Sequence, residues 1–204
     1  MKKIIRIGLF MSLLAIAGSL SAQTMINGGF KVTLLLNDGQ ADKAYAGYYA
    51  GLTQNITLSR HIGVAPGVYF SRFTGDNMKT VGDIEYHDML TENEIAIPVP
   101  INVMLHITDV SMIYIYGGPE FNVGITSKSQ KWINDEAPLT TDLYEQGVPG
   151  ELGRFNISWI AGVGSKFDFL NVNIGLSGNF FNRLYQSNVK QKAFNVFMGI
   201  GLAF

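Results

Sequence analysis

The sequence predicts an all-β fold, an eight-stranded antiparallel up-and-down transmembrane β-barrel. Eight segments of strand length follow one another. The connections between them are alternately short and long, which is the layout of bacterial outer-membrane barrels. Only 15% of the residues are charged, against roughly 25% in typical soluble domains. Glycine occurs 23 times, and the body of the chain contains no apolar run long enough for a transmembrane helix.

Residues 1–22 are predicted to be a cleavable secretory signal peptide. Lys2, Lys3 and Arg6 precede the apolar stretch "IGLFMSLLAIA", and "GSLSAQ" supplies small residues for cleavage after Ala22. Removing three cations changes the formal charge from −1 to −4. The chain has no cysteine, so it has neither a disulfide framework nor a lipidated cysteine. We expect residues 23–204 to form one outer-membrane barrel domain, whose acidic charge argues against a nucleic-acid partner.

The predicted strands are residues 25–36, 45–58, 62–73, 92–107, 112–126, 154–169, 171–184 and 191–204. Three connections are short, namely "SRH", "TDVS" and "LN", and are predicted to be periplasmic turns. The other four are longer and polar: "NDGQADKA", "TGDNMKTVGDIEYHDMLT", "SKSQKWINDEAPLTTDLYEQGVPGELG" and "YQSNVK". Pro98 and Pro100 lie inside the fourth predicted strand, so we expect a bulge or weakened pairing there.

The last strand shows an unusual distribution of side chains. One face carries only large apolar residues, which are Phe194, Val196, Met198, Ile200, Leu202 and Phe204. The opposite face carries Asn195, Phe197, Gly199, Gly201 and Ala203. A strand of a soluble barrel would alternate apolar residues with charged or hydroxylated ones. This strand is therefore predicted to have no face in contact with bulk water.

The polar face decides which side of the barrel is outside. A soluble lipocalin-like barrel keeps its apolar face inside, whereas an outer-membrane barrel turns that face to lipid. Glycine is a poor choice for a solvated strand surface but suits a narrow lumen beside Tyr49, Tyr69, Tyr114 and Phe197. The apolar face is therefore predicted to contact lipid. Candidate residues of the interfacial aromatic girdles are Tyr48, Phe155, Trp159, Phe167, Phe180 and Phe204.

The chain resembles the small outer-membrane β-barrels of the PorT-like, OmpA-like and OmpX-like group. The resemblance covers residues 23–204 and lies in "IAIPVPINVML", "IYGGPEFNVGI", "IAGVGSKFDF" and the terminal Phe204. In such proteins the last strand with its C-terminal aromatic residue is a signal to the barrel-assembly machinery. The resemblance therefore implies that role for Phe204 and that machinery as a partner. The group shares an architecture rather than one activity, so the resemblance does not give a function.

The charged residues of the predicted lumen are the first candidates for a functional site. Lys31, Glu120, Lys166, Asp168 and Arg183 are expected to pair into an internal network, because charges in a low-dielectric interior are tolerated when they are paired. Such a network is either a structural plug or an ion path. An eight-stranded barrel leaves no aqueous channel, which favours the plug.

Enzymatic, cofactor and metal sites are not predicted. His61 and His106 fall near the periplasmic end, whereas His87 falls in an outer loop without a serine nearby in sequence. The acidic outer loops lack the ligand spacing of a calcium loop. The segment "KWINDEAPL" places Trp132, Ile133 and Leu139 in an outer loop, which indicates a possible protein partner.

The sequence thus predicts a non-enzymatic integral protein of the bacterial outer membrane with both termini in the periplasm and membrane lipid around it. Its expected role is in envelope structure or in surface interaction through the outer loops. The alternatives are a lipid-modifying barrel enzyme, a narrow pore and a soluble lipocalin-like binder.

Overall fold

The computed structural model describes residues 22–81, 84–133, 138–184 and 190–204. Residues 1–21 of the predicted signal peptide lie outside the described residues, and Ala22 begins the first strand, so the cleavage site stays a prediction. In the described part of the chain, no helix is long and apolar enough to cross a membrane. The described elements are strands, so the predicted all-β class is confirmed.

The described residues form eleven strands. They are β1 (Ala22–Asn37), β2 (Gln40–Thr57), β3 (Ile62–Val64), β4 (Gly67–Val81), β5 (Ile84–Pro98), β6 (Ile101–His106), β7 (Ser111–Ile133), β8 (Leu139–Asp142), β9 (Phe155–Phe167), β10 (Leu170–Asn179) and β11 (Gln191–Ala203).

These strands close into a ring. β1 pairs with β11 on one side and with β2 on the other, so the sheet returns to its first strand. β2 pairs with β3 and β4, which continue one another and pair in turn with β6 and β5. β5 and β6 share β7 as their other neighbour, and β9, β10 and β11 complete the ring. We count β3 with β4, and β5 with β6, as one wall of the barrel each. With β8 outside the ring, eight antiparallel walls remain, as the sequence predicted.

The prolines interrupt two adjacent walls at one place. β5 ends at Pro98 and β6 begins at Ile101, while β3 and β4 are separated by Ala65 and Pro66. Proline has no amide hydrogen to donate, so a ladder cannot run through it unbroken. Single hydrogen bonds join the walls here: Ala65 donates to the Pro100 carbonyl at 3.0 Å and Val99 to the Pro119 carbonyl at 2.9 Å. The expected weakening of pairing near Pro98 and Pro100 is confirmed.

The two ends of the barrel differ, and the structure corrects the predicted loops. Residues 58–61, 107–110 and 168–169 form short turns at what we call the turn end. At the opposite loop end, β4 and β5 run on to residues 81 and 84, and β7 extends to Ile133 and pairs with β8. Most of the first and second predicted loops and part of the third are therefore strands, and only residues 38–39 separate β1 from β2. Their backbone groups form a ladder instead of bonding to water, which the polar composition did not reveal.

We call this extension the loop-end sheet. It comprises β4 from Gly75, β5 up to Thr91, β7 from Ser127, and β8. A bulge at Ile125 separates it from the wall below, because Asn93 pairs with Thr126 whereas Glu94 pairs with Gly124. Bulges bend a strand and increase its twist, so this one redirects the sheet where it leaves the barrel.

The apolar face of each wall points away from the barrel axis. In β11, Met198 and Ile200 are 59% and 62% exposed, whereas Asn195, Gly199 and Gly201 are buried. Among the described residues of the ring strands, outside the turns and the loop-end sheet, the charged side chains on the outer face are Arg72 and Lys192, both towards the loop end. This orientation is the predicted one, and it is opposite to that of a soluble ligand-binding barrel.

Glycine makes room for tyrosine inside the barrel. The ring of Tyr114 lies over Gly164, and a β-carbon added at Gly164 would collide with it. Tyr116 over Gly162 and Tyr49 against Gly199 repeat the arrangement. The predicted pairing of lumen glycines with large aromatic residues is therefore present, and it fills an interior that eight walls make narrow.

Valine at Gly164 tests this packing. We expect Gly164→Val to lower the free energy of unfolding by about 1–3 kcal/mol or to prevent folding, because it overpacks the lumen against Tyr114. Gly117→Val, which places the same side chain on the outer face near only the Ile160 carbonyl, is the matched control and should fold normally. Urea unfolding of the protein in phospholipid vesicles measures both variants. Equal stability of the two would contradict the assigned faces.

Candidate functional site

The barrel interior has two parts, a sealed layer at the loop end and an open cavity at the turn end. The sealed layer contains Glu92, Tyr144 and Arg183, all of them buried. The cavity has a volume of about 330 Å³ and reaches from Lys31, Glu94 and Glu120 down to the turn end. Within the described residues, the two parts meet at Glu94, which borders both.

An ion pair supplied from two different elements is the centre of the sealed layer. Arg183, in the segment after β10, donates from Nη2 to Oε1 of Glu92 in β5. The Tyr144 hydroxyl donates to the same oxygen at 3.1 Å, and the Ser127 hydroxyl donates to Oε2 at 3.3 Å. Glu92 is only 1% exposed, so these partners must replace the hydrogen bonds to water that its carboxylate has lost. We call Glu92, Tyr144 and Arg183 the plug.

Local packing brings the plug residues together. Leu152 and Leu184 form a β-bridge, and the Gly153 amide donates to the Arg183 carbonyl at 2.8 Å, so the segments that carry Tyr144 and Arg183 are joined above the barrel. Gly124 leaves the space that the Tyr144 ring occupies, since a β-carbon there would collide with the ring.

The protonation states of the plug follow from its burial. Burial first, and then the adjacent Glu92 carboxylate, raise the pKa of Tyr144, so the phenol keeps its proton and continues to donate. Burial, the largest single effect, would lower the pKa of Arg183, but its interactions with Glu92, Tyr144 and Glu94 together outweigh burial and raise it. The plug is therefore a fixed ion pair with a neutral phenol donor at physiological pH.

A second ion pair lies at the inner end of the cavity. Lys31 Nζ is 2.6 Å from Glu94 Oε1, and the Ser71 hydroxyl donates to the same oxygen at 3.2 Å. The Lys31 ammonium also lies 5.5 Å from the centre of the Phe73 ring. Glu120 accepts a hydrogen bond of 3.4 Å from the Asn122 amide, and within the described residues it forms no ion pair at 4.0 Å or less.

The five residues predicted to form one lumen network occupy four places. Lys31 and Glu120 line the cavity, while Arg183 belongs to the plug. Lys166 lies at the cavity mouth, where its ammonium donates to Gln23 Oε1. Asp168 is exposed in the turn after β9 with φ +53°, so it is not on the lumen wall. The described residues thus contain two separate lumen ion pairs, and each includes one predicted residue.

The predicted lumen network did not include the acidic partner of either pair. Glu92 and Glu94 lie two positions apart in β5 and therefore share a face, which the alternation in "ENEIAIP" indicates. Tyr144 lies in a segment without periodicity, and no sequence signal places its hydroxyl beside Glu92.

The walls of the cavity are aromatic and polar. Five rings line it, those of Tyr49, Tyr69, Tyr114, Tyr116 and Phe197. Tyr49 packs edge-on against Tyr69 and Phe197 with ring centres 5.6 and 5.9 Å apart. Asparagine amides form hydrogen bonds with the tyrosine hydroxyls; for example, Asn171 Nδ2 donates to the Tyr114 hydroxyl at 2.8 Å. The mouth at the turn end includes Gln23, His106 and Met112.

The loop-end sheet carries the other candidate surface. His87 stacks on Trp132 with ring centres 4.7 Å apart, and His87 Nε2 is 3.5 Å from Asp76 Oδ2. Met78 is 75% and Leu139 70% exposed. Trp132 and Ile133, predicted to lie in a loop, are in β7, and Leu139 begins β8. Among the described residues, no group of three side chains is arranged to hold a metal ion.

The fold is shared with solved structures of outer-membrane barrels. Ail, the attachment invasion locus protein of Yersinia pestis, in complex with the heparin analogue sucrose octasulfate, is similar at a TM-score of 0.50 and 12% identity, over 91% of this chain and 100% of Ail. Neisserial surface protein A is similar at a TM-score of 0.44 and 8% identity, over 90% of this chain and 99% of that protein. The sequence matches no protein-family model and no curated protein. The likeness to Ail confirms the predicted fold class.

The plug gives a stability prediction. Arg183→Met should destabilise the barrel by about 3–5 kcal/mol, because it leaves the buried Glu92 carboxylate without its cation. Urea unfolding in phospholipid vesicles measures the loss. Lys190→Met removes an exposed cation from the same connection and is the matched control. The double variant Arg183→Met, Glu92→Met should recover part of the stability. A single variant as stable as the control would show that the ion pair is dispensable.

Proposed function

We propose that this chain is a non-enzymatic integral protein of the bacterial outer membrane that acts in envelope structure or surface interaction through its loop-end sheet. The turn end and both termini face the periplasm, and the loop-end sheet faces outward. The observation that carries this proposal is the apolar outer face of the ring strands, on which the charged side chains among the described residues, Arg72 and Lys192, lie towards the loop end. It supports membrane placement because a charged side chain at the bilayer midplane of a barrel costs about 2–4 kcal/mol.

Aromatic residues at both ends of the apolar face support the same placement. Tyr48, Phe155 and Phe180 are exposed towards the loop end, and Phe167, Phe169 and Phe204 towards the turn end. Girdles of this kind flank the hydrocarbon-facing band of outer-membrane barrels. The closed ring supports it further, because a sheet in lipid must leave no unpaired edge.

The plug favours a filled lumen over a pore. Arg183, Glu92 and Tyr144 occupy the loop end of the interior, and the residual space among their neighbours is about 20 Å³. A space of that size holds about one water molecule rather than a continuous column. A lipid-modifying enzyme receives less support, because among the described residues His87 contacts Asp76 and Trp132 rather than a serine hydroxyl.

The loop-end sheet supports the interaction role. Its strands continue beyond the apolar face of the ring, and they present Met78, Ile133 and Leu139 on an ordered ladder. Asp76, Glu85, Asp88 and Asp142 lie on the same sheet as Lys128 and Lys131, so the sheet carries charges of both signs. Apolar side chains held on a rigid frame cost little entropy when they are buried by a partner. The partner proposed here is a protein whose surface combines apolar residues with charged residues of both signs.

The C-terminal residue is proposed as the assembly signal read by the barrel-assembly machinery. Phe204 is 71% exposed, and its amide donates to the Thr24 carbonyl at 3.0 Å, so the aromatic ring is fixed on the outer face at the end of the last strand.

The absence of cysteine allows a direct topology test. With a membrane-impermeant maleimide on intact cells, Met78→Cys in the loop-end sheet should be labelled. Asp109→Cys in a short turn should be labelled only after the outer membrane is permeabilised. Ile174→Cys, on the outer face of β10, is the control that should react in neither case, because lipid covers it. Labelling of Asp109→Cys but not Met78→Cys on intact cells would contradict the proposed orientation.

The assembly role predicts different outcomes in cells and in detergent. Phe204→Ala should lower the amount of folded barrel in the outer membrane, because the signal for assembly is weakened. Refolding of the purified variant into detergent should be unchanged, since the Phe204 side chain is outside the packed interior of the barrel. Heat-modifiable gel migration measures the folded fraction in both settings. Normal assembly in cells would remove the proposed role.

A further inference from the structure

The interior cavity has a shape and depth that the plug and the surface role do not explain. It is closed at its inner end, where Lys31, Glu94 and Glu120 lie, and it opens at the turn end beside Met112 and His106. Along β7, Glu120 lies eight positions after Met112. At about 3.4 Å per residue and a strand tilt near 40°, the channel is roughly 20 Å deep. A deep and narrow channel of this kind suits a linear molecule.

The inner end carries an excess of negative charge. Two carboxylates, Glu94 and Glu120, line it together with one ammonium, that of Lys31. The ammonium is bonded to Glu94 at 2.6 Å. In the part of the chain that the structure describes, Glu120 forms no ion pair, and its polar contacts are a 3.4 Å hydrogen bond from Asn122 and a hydrogen bond with Ser177. Away from bulk water a carboxylate carries its charge at low cost only beside a cation, and an amine ligand can supply that cation.

The walls favour the same kind of ligand. The rings of Tyr49, Tyr69, Tyr114, Tyr116 and Phe197 surround the path to Glu120. Aromatic faces attract organic cations through their quadrupole and pack against methylene groups. Lys166 at the mouth is already bonded to Gln23 and interacts with the Asp168 carboxylate. The mouth therefore does not place an unopposed cation in the path of an amine.

We propose that the cavity is a binding channel for linear organic amines, in which Glu120 pairs with a terminal ammonium and the aromatic rings surround the chain. This role is separate from the surface role of the loop-end sheet. It depends on the proposed orientation only for its compartment, which would be the periplasm.

The test compares two ligands of equal length on the unaltered barrel in detergent micelles. Isothermal titration calorimetry with 1,8-diaminooctane should give saturable binding of one molecule per barrel. The neutral 1,8-octanediol, which has the same chain without charge, should bind at least about tenfold more weakly. Equal binding of the two ligands, or no saturable binding of the diamine at millimolar concentration, would overturn the proposal.

A variant identifies the carboxylate. Glu120→Gln should weaken diamine binding at least about tenfold, because the amide keeps the shape of the side chain and removes its charge. Glu145→Gln removes the same charge from an exposed position in the segment before β9 and should leave binding unchanged. Heat-modifiable migration of both variants checks that they are folded. Unchanged binding by folded Glu120→Gln would overturn the assignment, and the ligand pair tests the channel if that variant does not fold.

Discussion

The structure depends on one constraint, which is that the backbone hydrogen-bond ladder must close on itself. Hydrocarbon offers no partner for a free amide or carbonyl, and each unpaired group there costs several kcal/mol. β1 meets the constraint by pairing with β2 and β11 at the same time, with Gly29 opposite both Tyr49 and Gly199. The proline interruption at Ala65 and Val99 is tolerated because single bonds still join the walls there. Beyond the apolar face the constraint relaxes, and a sheet with free edges can exist in water.

Closure with eight walls also determines the interior. Inward side chains from opposite walls meet near the axis, so large rings require glycine on a neighbouring wall, as Tyr114 requires Gly164. Charges inside must find partners within the same narrow space. Glu92 pairs with Arg183, and Glu94 pairs with Lys31, whereas Glu120 has only the uncharged partners Asn122 and Ser177 at hydrogen-bond distance. The plug and the proposed amine channel thus follow from the same constraint. In the plug the protein itself supplies the cation for the carboxylate, whereas in the proposed channel an amine ligand supplies the cation for Glu120.

Much of the ring could be predicted from sequence because period-two alternation follows directly from strand geometry. In β11 the alternation of Met198 and Ile200 with glycine gave both the strand and its outward face. The loop-end sheet could not be predicted in the same way, since polar and apolar residues are mixed along its strands and the regular hydrophobic alternation is lost. The pairing of charged side chains in the lumen could not be predicted from the sequence either. Arg183 and Glu92 are 91 positions apart, and only the ring order shows that they meet. Asp168 was misplaced because a turn residue with positive φ ends the alternation that preceded it.

Accessibility of a nitroxide spin label on β10 tests the central claim most directly, because adjacent residues of one strand face opposite environments. With the label at Ile174 in lipid vesicles, the account predicts frequent collisions with dissolved oxygen and few with a water-soluble nickel chelate. At Asn173 the label lies in the lumen, and collisions with oxygen should be much rarer. High oxygen accessibility at Asn173 together with frequent nickel collisions at Ile174 would show that the apolar face is not in lipid, and it would contradict the account.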